Sequence, residues 1–217
     1  MNSLPDPVSL LGLIVVFGVL PFVALMTTSY TKLVIVFGLL RAALGLQQTP
    51  PNLVINGIAI ILTVYIMAPV GMDIADGMRG RSFSSRPTVS ELSTIYDVAN
   101  KPVKQFLDKH TMPRERQFFL KSAAAIWPKH RAESLKADDL IVLVPSFALS
   151  ELTRAFQIGF ILYLMFIVVD LIVATILLAL GMMMISPTII SLPFKILLFV
   201  SLDGWSRLVH GLVLSYR

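Results

Sequence analysis

The order of apolar and polar positions divides the chain into three parts. From Val8 to Met26 there are 19 residues without a charge, about the length that crosses a bilayer core. Thr27 to Lys32 is polar, Leu33 to Leu40 is apolar again, and Arg41 with Gln47 and Gln48 leads out of it. As one helix, Val8 to Leu46 would run roughly 58 Å at 1.5 Å per residue, about twice the hydrocarbon thickness, so it must bend or leave the bilayer. Thr49-Pro50-Pro51-Asn52 stops it, because proline has no N–H to give and pushes the residue before it into extended geometry. Leu53 to Met72 supplies a second run of spanning length, interrupted by Asn56, Thr63 and Pro69. Residues 1–72 therefore read as a helical hairpin.

Residues 73–139 form a polar insert. Gly77 to Pro87 is too rich in Gly, Ser and Arg to be regular. Two amphipathic helices follow. In the first, Leu92, Ile95, Val98, Ala99, Val103, Phe106 and Leu107 recur at three-to-four-residue spacing. The second starts near Pro113, a favoured early helical residue, and carries Phe119, Ala123 and Ile126 up to Trp127-Pro128. An insert of roughly 67 residues needs support from its neighbours.

Residues 140–217 return to apolar character, interrupted by Pro145, Glu151, Arg154, Asp170 and Lys195. Phe156 to Ile185 holds one acid and no base and would span roughly 45 Å as a helix. Ser186-Pro187 and Leu192-Pro193 bracket an expected turn. Phe194 to Leu214, with Lys195, Asp203, Arg207 and His210, returns as an amphipathic helix facing protein on one side. The fold class is thus all-α, a membrane protein of two long, kinked helical hairpins with a small helical insert.

Composition agrees with this division. The chain is 56% hydrophobic and 14% charged, with mean hydropathy +0.80, against roughly 25% charged residues in an average soluble domain. Nine of its 13 acids and twelve of its 18 bases fall between Asp73 and Asp139. Bases dispersed among acids, with no accompanying binding signature, argue against nucleic acid despite the net charge of +5. The absence of Cys excludes disulfides and thiolate chemistry. The N-terminus lacks the basic segment and cleavage site of a signal peptide, so the first apolar segment is expected to be retained. Lys32 and Arg41 are the only charges between Val8 and Met72, which places the first bend on the cytoplasmic side and the insert and both termini on the periplasmic side.

Candidate chemistry is sparse. His110, His130 and His210 lack metal-ligand spacing and read as surface or interface residues. No hydrolase, metalloprotease or phosphate-loop motif is present, so no catalysis, metal or cofactor is expected. Glu151 and Arg154 would share a helix face, with Ser150 as a candidate cap, and read as a structural or inter-subunit bridge rather than a proton relay. Asp170, a lone intramembrane carboxylate, has two readings of equal standing: a functional group, or an acceptor of hydrogen bonds from a neighbouring chain. Gly57, Gly159, Gly181, Ala42, Ala43 and Ser201 are small enough to let helices approach closely.

Met182, Met183 and Met184 stand between Gly181 and Ile185-Ser186-Pro187, where one long apolar run gives way to the next. Methionine is unbranched, polarizable and re-packs around varying shapes, and irregular backbone at membrane depth is tolerated only where protein buries it or it lines a cavity. The methionines are therefore core filler or a deformable constriction. Consecutive residues point in different directions and form no spaced Met array, which argues against Cu(I) ligation.

Three separated motifs resemble one family: Ser29-Tyr30-Thr31-Lys32 through Arg41 to Gln47-Gln48-Thr49-Pro50-Pro51-Asn52; Val144-Pro145-Ser146-Phe147 through Glu151 and Arg154 to Gly159; and Leu180-Gly181-Met182-Met183-Met184-Ile185-Ser186-Pro187 through Lys195 to Asp203-Gly204-Trp205. They resemble the FliP/SctR family of export-gate subunits of flagellar and virulence type III secretion systems, and the short insert looks more like the injectisome SctR branch. The likeness covers nearly everything outside residues 73–139.

The resemblance implies five copies in a pseudo-helical ring with SctS and SctT homologues, in the bacterial inner membrane, largely above the membrane plane once assembled. It implies export-gate partners SctU and SctV, inner rod or needle proteins, and unfolded secretion substrates. It also implies a gasket of Met182, Met183 and Met184 around the closed pore. Lys32, Arg41, Gln47, Gln48, Glu151, Arg154, Asp170, Lys195 and Asp203 are candidates for structural or inter-subunit polar contacts. Met165 stands where many relatives have proline, which predicts the loss of a kink. The competing function is a small-solute or ion transporter with broken helices and Asp170 at mid-membrane. An intramembrane hydrolase lacks a nucleophile and base.

Overall fold

A computed structural model describes residues 18–19, 21–81, 89–182 and 184–217, with the side chains of 89–92 left aside. The expectations for Val8 to Phe17, for residues 82–88 and for Met183 lie outside the described residues. The fold is all-helical, with no strand among the described residues.

Residues 21–26 are helical, and the polar stretch at 27–29 separates them from α1 (Tyr30–Ala43). The overlong first helix is therefore broken where its threonines and serine stand. Helix α1 ends as its sequence dictates. Gly45 adopts φ 81° and its N–H bonds the Ala42 carbonyl, while Leu46 N–H bonds that of Arg41, a Schellman closure that needs a residue free to be left-handed. Across the following turn, Arg41 donates to Asn52 Oδ1 at 2.6 Å and to the Pro50 carbonyl at 3.2 Å.

Helix α2 (Asn52–Met78) continues one and a half turns past Met72, where the apolar run ends. Nothing in Asp73 to Gly77 stops a helix, and the strong breaker arrives only at Gly80, with φ 79°. The insert contributes α3 (Val89–His110), α4 (Pro113–Ile126) and the short α5 (Lys129–Ala132). Its apolar stripe is largely as expected. Phe106, Leu107 and Ala123 are buried, whereas Ile126 is exposed.

Helix α6 (Leu140–Ala179) has 40 residues, about 60 Å at 1.5 Å per residue. It begins well before Phe156 and runs without a break through Pro145 and Met165. Ser150 lies inside it rather than capping it, with its hydroxyl donating to the Ser146 carbonyl at 2.6 Å. Helix α7 (Pro187–Ser201) starts at a favoured N-terminal proline. Leu192-Pro193 is inside this helix and is not a turn boundary; apolar helices of membrane type tolerate an internal proline where neighbours re-satisfy the freed carbonyl. Helix α8 (Gly204–Leu214) follows at an angle of 61°. Helices α2 and α6 are each long and apolar enough to cross a membrane, as is the bent pair α7–α8 if counted as one span.

Helix α1 packs most extensively on α6. Gly159 permits this approach, since a Cβ there would lie 2.2 Å from Leu39 Cδ1 and 2.9 Å from Leu39 Cβ. Gly57, also expected at a close contact, faces open space within the chain. One core joins Leu33, Val36, Phe37, Ile55, Ala155 and Leu212, and another joins Leu40, Leu44, Phe166 and Phe199. A third, of Phe106, Leu107, Leu143 and Phe147, docks the insert onto α6. Large apolar side chains along α2 and α6, among them Ile61, Phe160 and Leu171, remain exposed.

Candidate functional site

Three places gather the residues singled out by sequence. The first centres on Glu151, fully buried on α6. Lys32 of α1 approaches it at 3.3 Å, also fully buried, and Arg154 reaches its other oxygen at 3.1 Å. The Tyr216 hydroxyl, just beyond α8, donates to Glu151 Oε2, and Lys32 Nζ stands 3.5 Å over the Tyr216 ring, a favourable cation–π placement.

The insert is fastened to the same point. Arg154 Nη1 donates to the His110 carbonyl at 2.7 Å, Met112 N–H donates to Ser150 Oγ at 2.9 Å, and the His110 ring packs edge-on to Tyr216 at 5.1 Å. Burial pushes the His110 imidazole down to about 4, with the Glu151 carboxylate acting in the opposite sense. Burial, then Glu151, holds the Tyr216 phenol protonated well above its usual range. The chemistry of this cluster is fastening, with α1, α6, the end of α3 and the segment after α8 meeting at one carboxylate.

A second, smaller pair ties α7 to α6. Lys195 Nζ lies 2.6 Å from Asp170 Oδ2 and donates to the Ala43 carbonyl at 3.2 Å, while Ser191 donates to Asp170 Oδ1. Asp170 therefore finds its donors within its own chain. Gln47 and Gln48 are exposed in the turn after α1. Asp203 occupies the break between α7 and α8 with φ 52°, a conformation that Asp tolerates better than most residues.

The third place is the methionine turn. Helix α6 closes with Gly181 at φ 72°; Gly181 N–H bonds the Leu178 carbonyl and Met182 N–H that of Leu177, the Schellman pattern again. The chain then turns through Met182, Met184 and Ile185 into α7. Met182 is exposed and Met184 fully so. Neither is core filler within this chain.

Sequence reasoning did not bring Tyr216, His110 or Ser191 to these clusters. A buried carboxylate on an apolar helix calls for a cation, and that signal points from Glu151 to Lys32 as well as to the nearby Arg154. Nothing local marks Tyr216.

Residues 13–212 match the FliP family. The chain belongs to the FliP family. It is 53% identical to the "Pathogenicity-related ORF2" of Xanthomonas campestris pv. glycines over 99% of this chain and 100% of that protein. It is 51% identical to the hypersensitivity response secretion protein HrcR of Ralstonia nicotianae over 96% and 97%. Against Yop proteins translocation protein R of Yersinia pestis the identity is 49%, over 100% and 99%. The injectisome SctR branch of the FliP family fits, with flagellar FliP more distant. This FliP-family chain is a membrane protein, and the solute-transporter reading is not favoured.

Proposed function

We propose that this chain is one segment of the export gate of a type III secretion system, in the bacterial inner membrane, through which unfolded proteins pass. Five copies, joined by SctS and SctT homologues in a pseudo-helical ring, would bring five methionine turns together around the channel entry. The polar insert would face the periplasm, and SctU, SctV and rod or needle proteins would complete the path. The lysine, arginine and carboxylate clusters hold each copy in shape rather than act on substrates.

The observation that carries this reading is the methionine turn. A flexible, polarizable side chain stands fully exposed at the glycine-closed end of a 40-residue apolar helix, in a family whose relatives are named for secretion and translocation. Such side chains can close on one another and re-pack around a passing chain. The test is to replace Met182, Met183 and Met184 together by Ala and measure ion or small-molecule leakage through membranes holding the assembled complex. Leakage should rise with assembly intact. Unchanged leakage in an assembled complex overturns the seal.

A further inference from the structure

Among the described residues, the apolar helices α1, α2 and α6–α8 carry Lys32, Arg41, Arg154, Lys195 and Arg207 as their lysines and arginines. The first four are satisfied inside the chain. Lys32 and Arg154 pair with Glu151, Lys195 pairs with Asp170, and Arg41 donates to Asn52 and Pro50. Arg207 is exposed and has neither an ion pair nor a side-chain hydrogen bond. Asp203, one turn earlier, accepts the Arg207 backbone N–H on its carbonyl, but its carboxylate does not pair with the guanidinium.

Arg207 lines a cleft of about 440 Å³ between α6 and the bent α7–α8 pair. Ile158, Leu162 and Met165 of α6, Phe199 of α7 and Gly211 of α8 make the rest of it apolar. The 61° bend between α7 and α8 helps to hold it open, and a Cβ on Gly211 would meet nothing within 4 Å. Its walls belong to helices with the length and composition to lie in a membrane. The volume falls in the roughly 300–1,000 Å³ range of ligand pockets.

An apolar cleft in such helices, with one unsatisfied guanidinium in its lining, complements an amphiphile with an anionic head. Guanidinium binds phosphate oxygens through paired N–H donors, and a long basic side chain on an apolar helix reaches for the headgroup layer. We propose that this cleft holds an acyl chain of an anionic phospholipid whose phosphate is bound by Arg207.

Trp205 supplies a reporter, because its ring lies 5.6 Å from that of Phe199, which lines the cleft. The full chain carrying Trp127→Phe, which leaves Trp205 as its one tryptophan, would be placed in nanodiscs. These would contain phosphatidylcholine plus a small fraction of either acyl-brominated phosphatidylglycerol or acyl-brominated phosphatidylcholine. The phosphatidylglycerol should quench Trp205 at about fivefold lower mole fraction, the preference that one basic residue at an anionic surface supplies. Arg207→Gln should abolish the preference and Arg207→Lys retain part of it. Gly211→Leu, which narrows the cleft and keeps the Arg207 guanidinium, should weaken quenching by both lipids. An unchanged emission maximum in plain phosphatidylcholine verifies that Trp205 remains packed in each variant. Equal quenching by the two headgroups, or a preference that survives Arg207→Gln, overturns the proposal. Unaltered quenching in Gly211→Leu also overturns it, because the chain then binds elsewhere or a partner's apolar helix fills the cleft.

Discussion

At Glu151 a buried carboxylate meets two cations and a phenol, and the peptide groups of the insert are tied in through Arg154 and Ser150. At the methionine turn, which lies along the chain between Asp170 and Lys195, Met184 is bare on every side. The two regions treat side chains in opposite ways. Charge is turned inward and neutralised within one chain, while soft apolar surface is turned outward. Buried ions must be satisfied by the chain itself because an unpaired one costs several kcal/mol. An exposed methionine costs little alone and gains contacts when other chains arrive.

The sharpest way to break this contrast is at the carboxylate. Glu151→Ala leaves Lys32 buried without its anion and should destabilise the chain by about 3–5 kcal/mol, read as a lowered thermal midpoint in detergent. Combining Glu151→Leu with Lys32→Met removes both buried charges and should recover much of the loss. If the double variant is as unstable as Glu151→Ala, charge pairing is not what the cluster supplies. Asp170→Ala should cost less, about 1.5–3 kcal/mol, because that carboxylate is partly exposed and Lys195 keeps the Ala43 carbonyl.

Gly159→Ala tests the packing that brings the charges together. Its Cβ would press on Leu39 at the α1–α6 contact, and over-packing of this kind costs about 1–3 kcal/mol. A variant of wild-type stability would mean that the helices part without penalty.

His110 gives a pH signature. Burial holds its imidazole down to about 4 in the folded chain, against an ordinary value of 6.5. Between these values the unfolded chain takes up a proton that the folded chain refuses, so the His110 contribution to stability is complete above about pH 6.5 and declines toward pH 4. His110→Phe should flatten that part of the stability profile. An identical slope in the variant would place the titration elsewhere.

Much of this was legible locally. The three-to-four spacing of Val103, Phe106 and Leu107 marked α3, Pro113 marked the start of α4, and the three-residue step from Glu151 to Arg154 marked their pairing. Ser186-Pro187 marked the end of the methionine turn, whereas Gly181, expected at a close helix contact, faces open space and closes α6 at φ 72° instead. The partners of Glu151 and Asp170 were less legible, because Lys32 and Tyr216 arrive from opposite ends of the sequence and no local period connects them. Leu192-Pro193 misled for a related reason. A proline disfavours a helix by its own geometry, but neighbouring helices decide whether the helix continues.

The smallest expected effect on stability, and the largest on function, is at the turn itself. Replacing exposed Met182 or Met184 singly by Ala should leave the thermal midpoint nearly unchanged, within about 0.5 kcal/mol. The most direct measurement uses the chain's lack of cysteine: Met184→Cys provides one thiol per copy, available to a short bifunctional thiol crosslinker in the assembled complex. Copies should crosslink to one another when the gate is idle and cease to do so when a stalled secretion substrate occupies it. A thiol that never links copies, and reacts with a soluble reagent equally with and without substrate, would contradict a seal built from this turn.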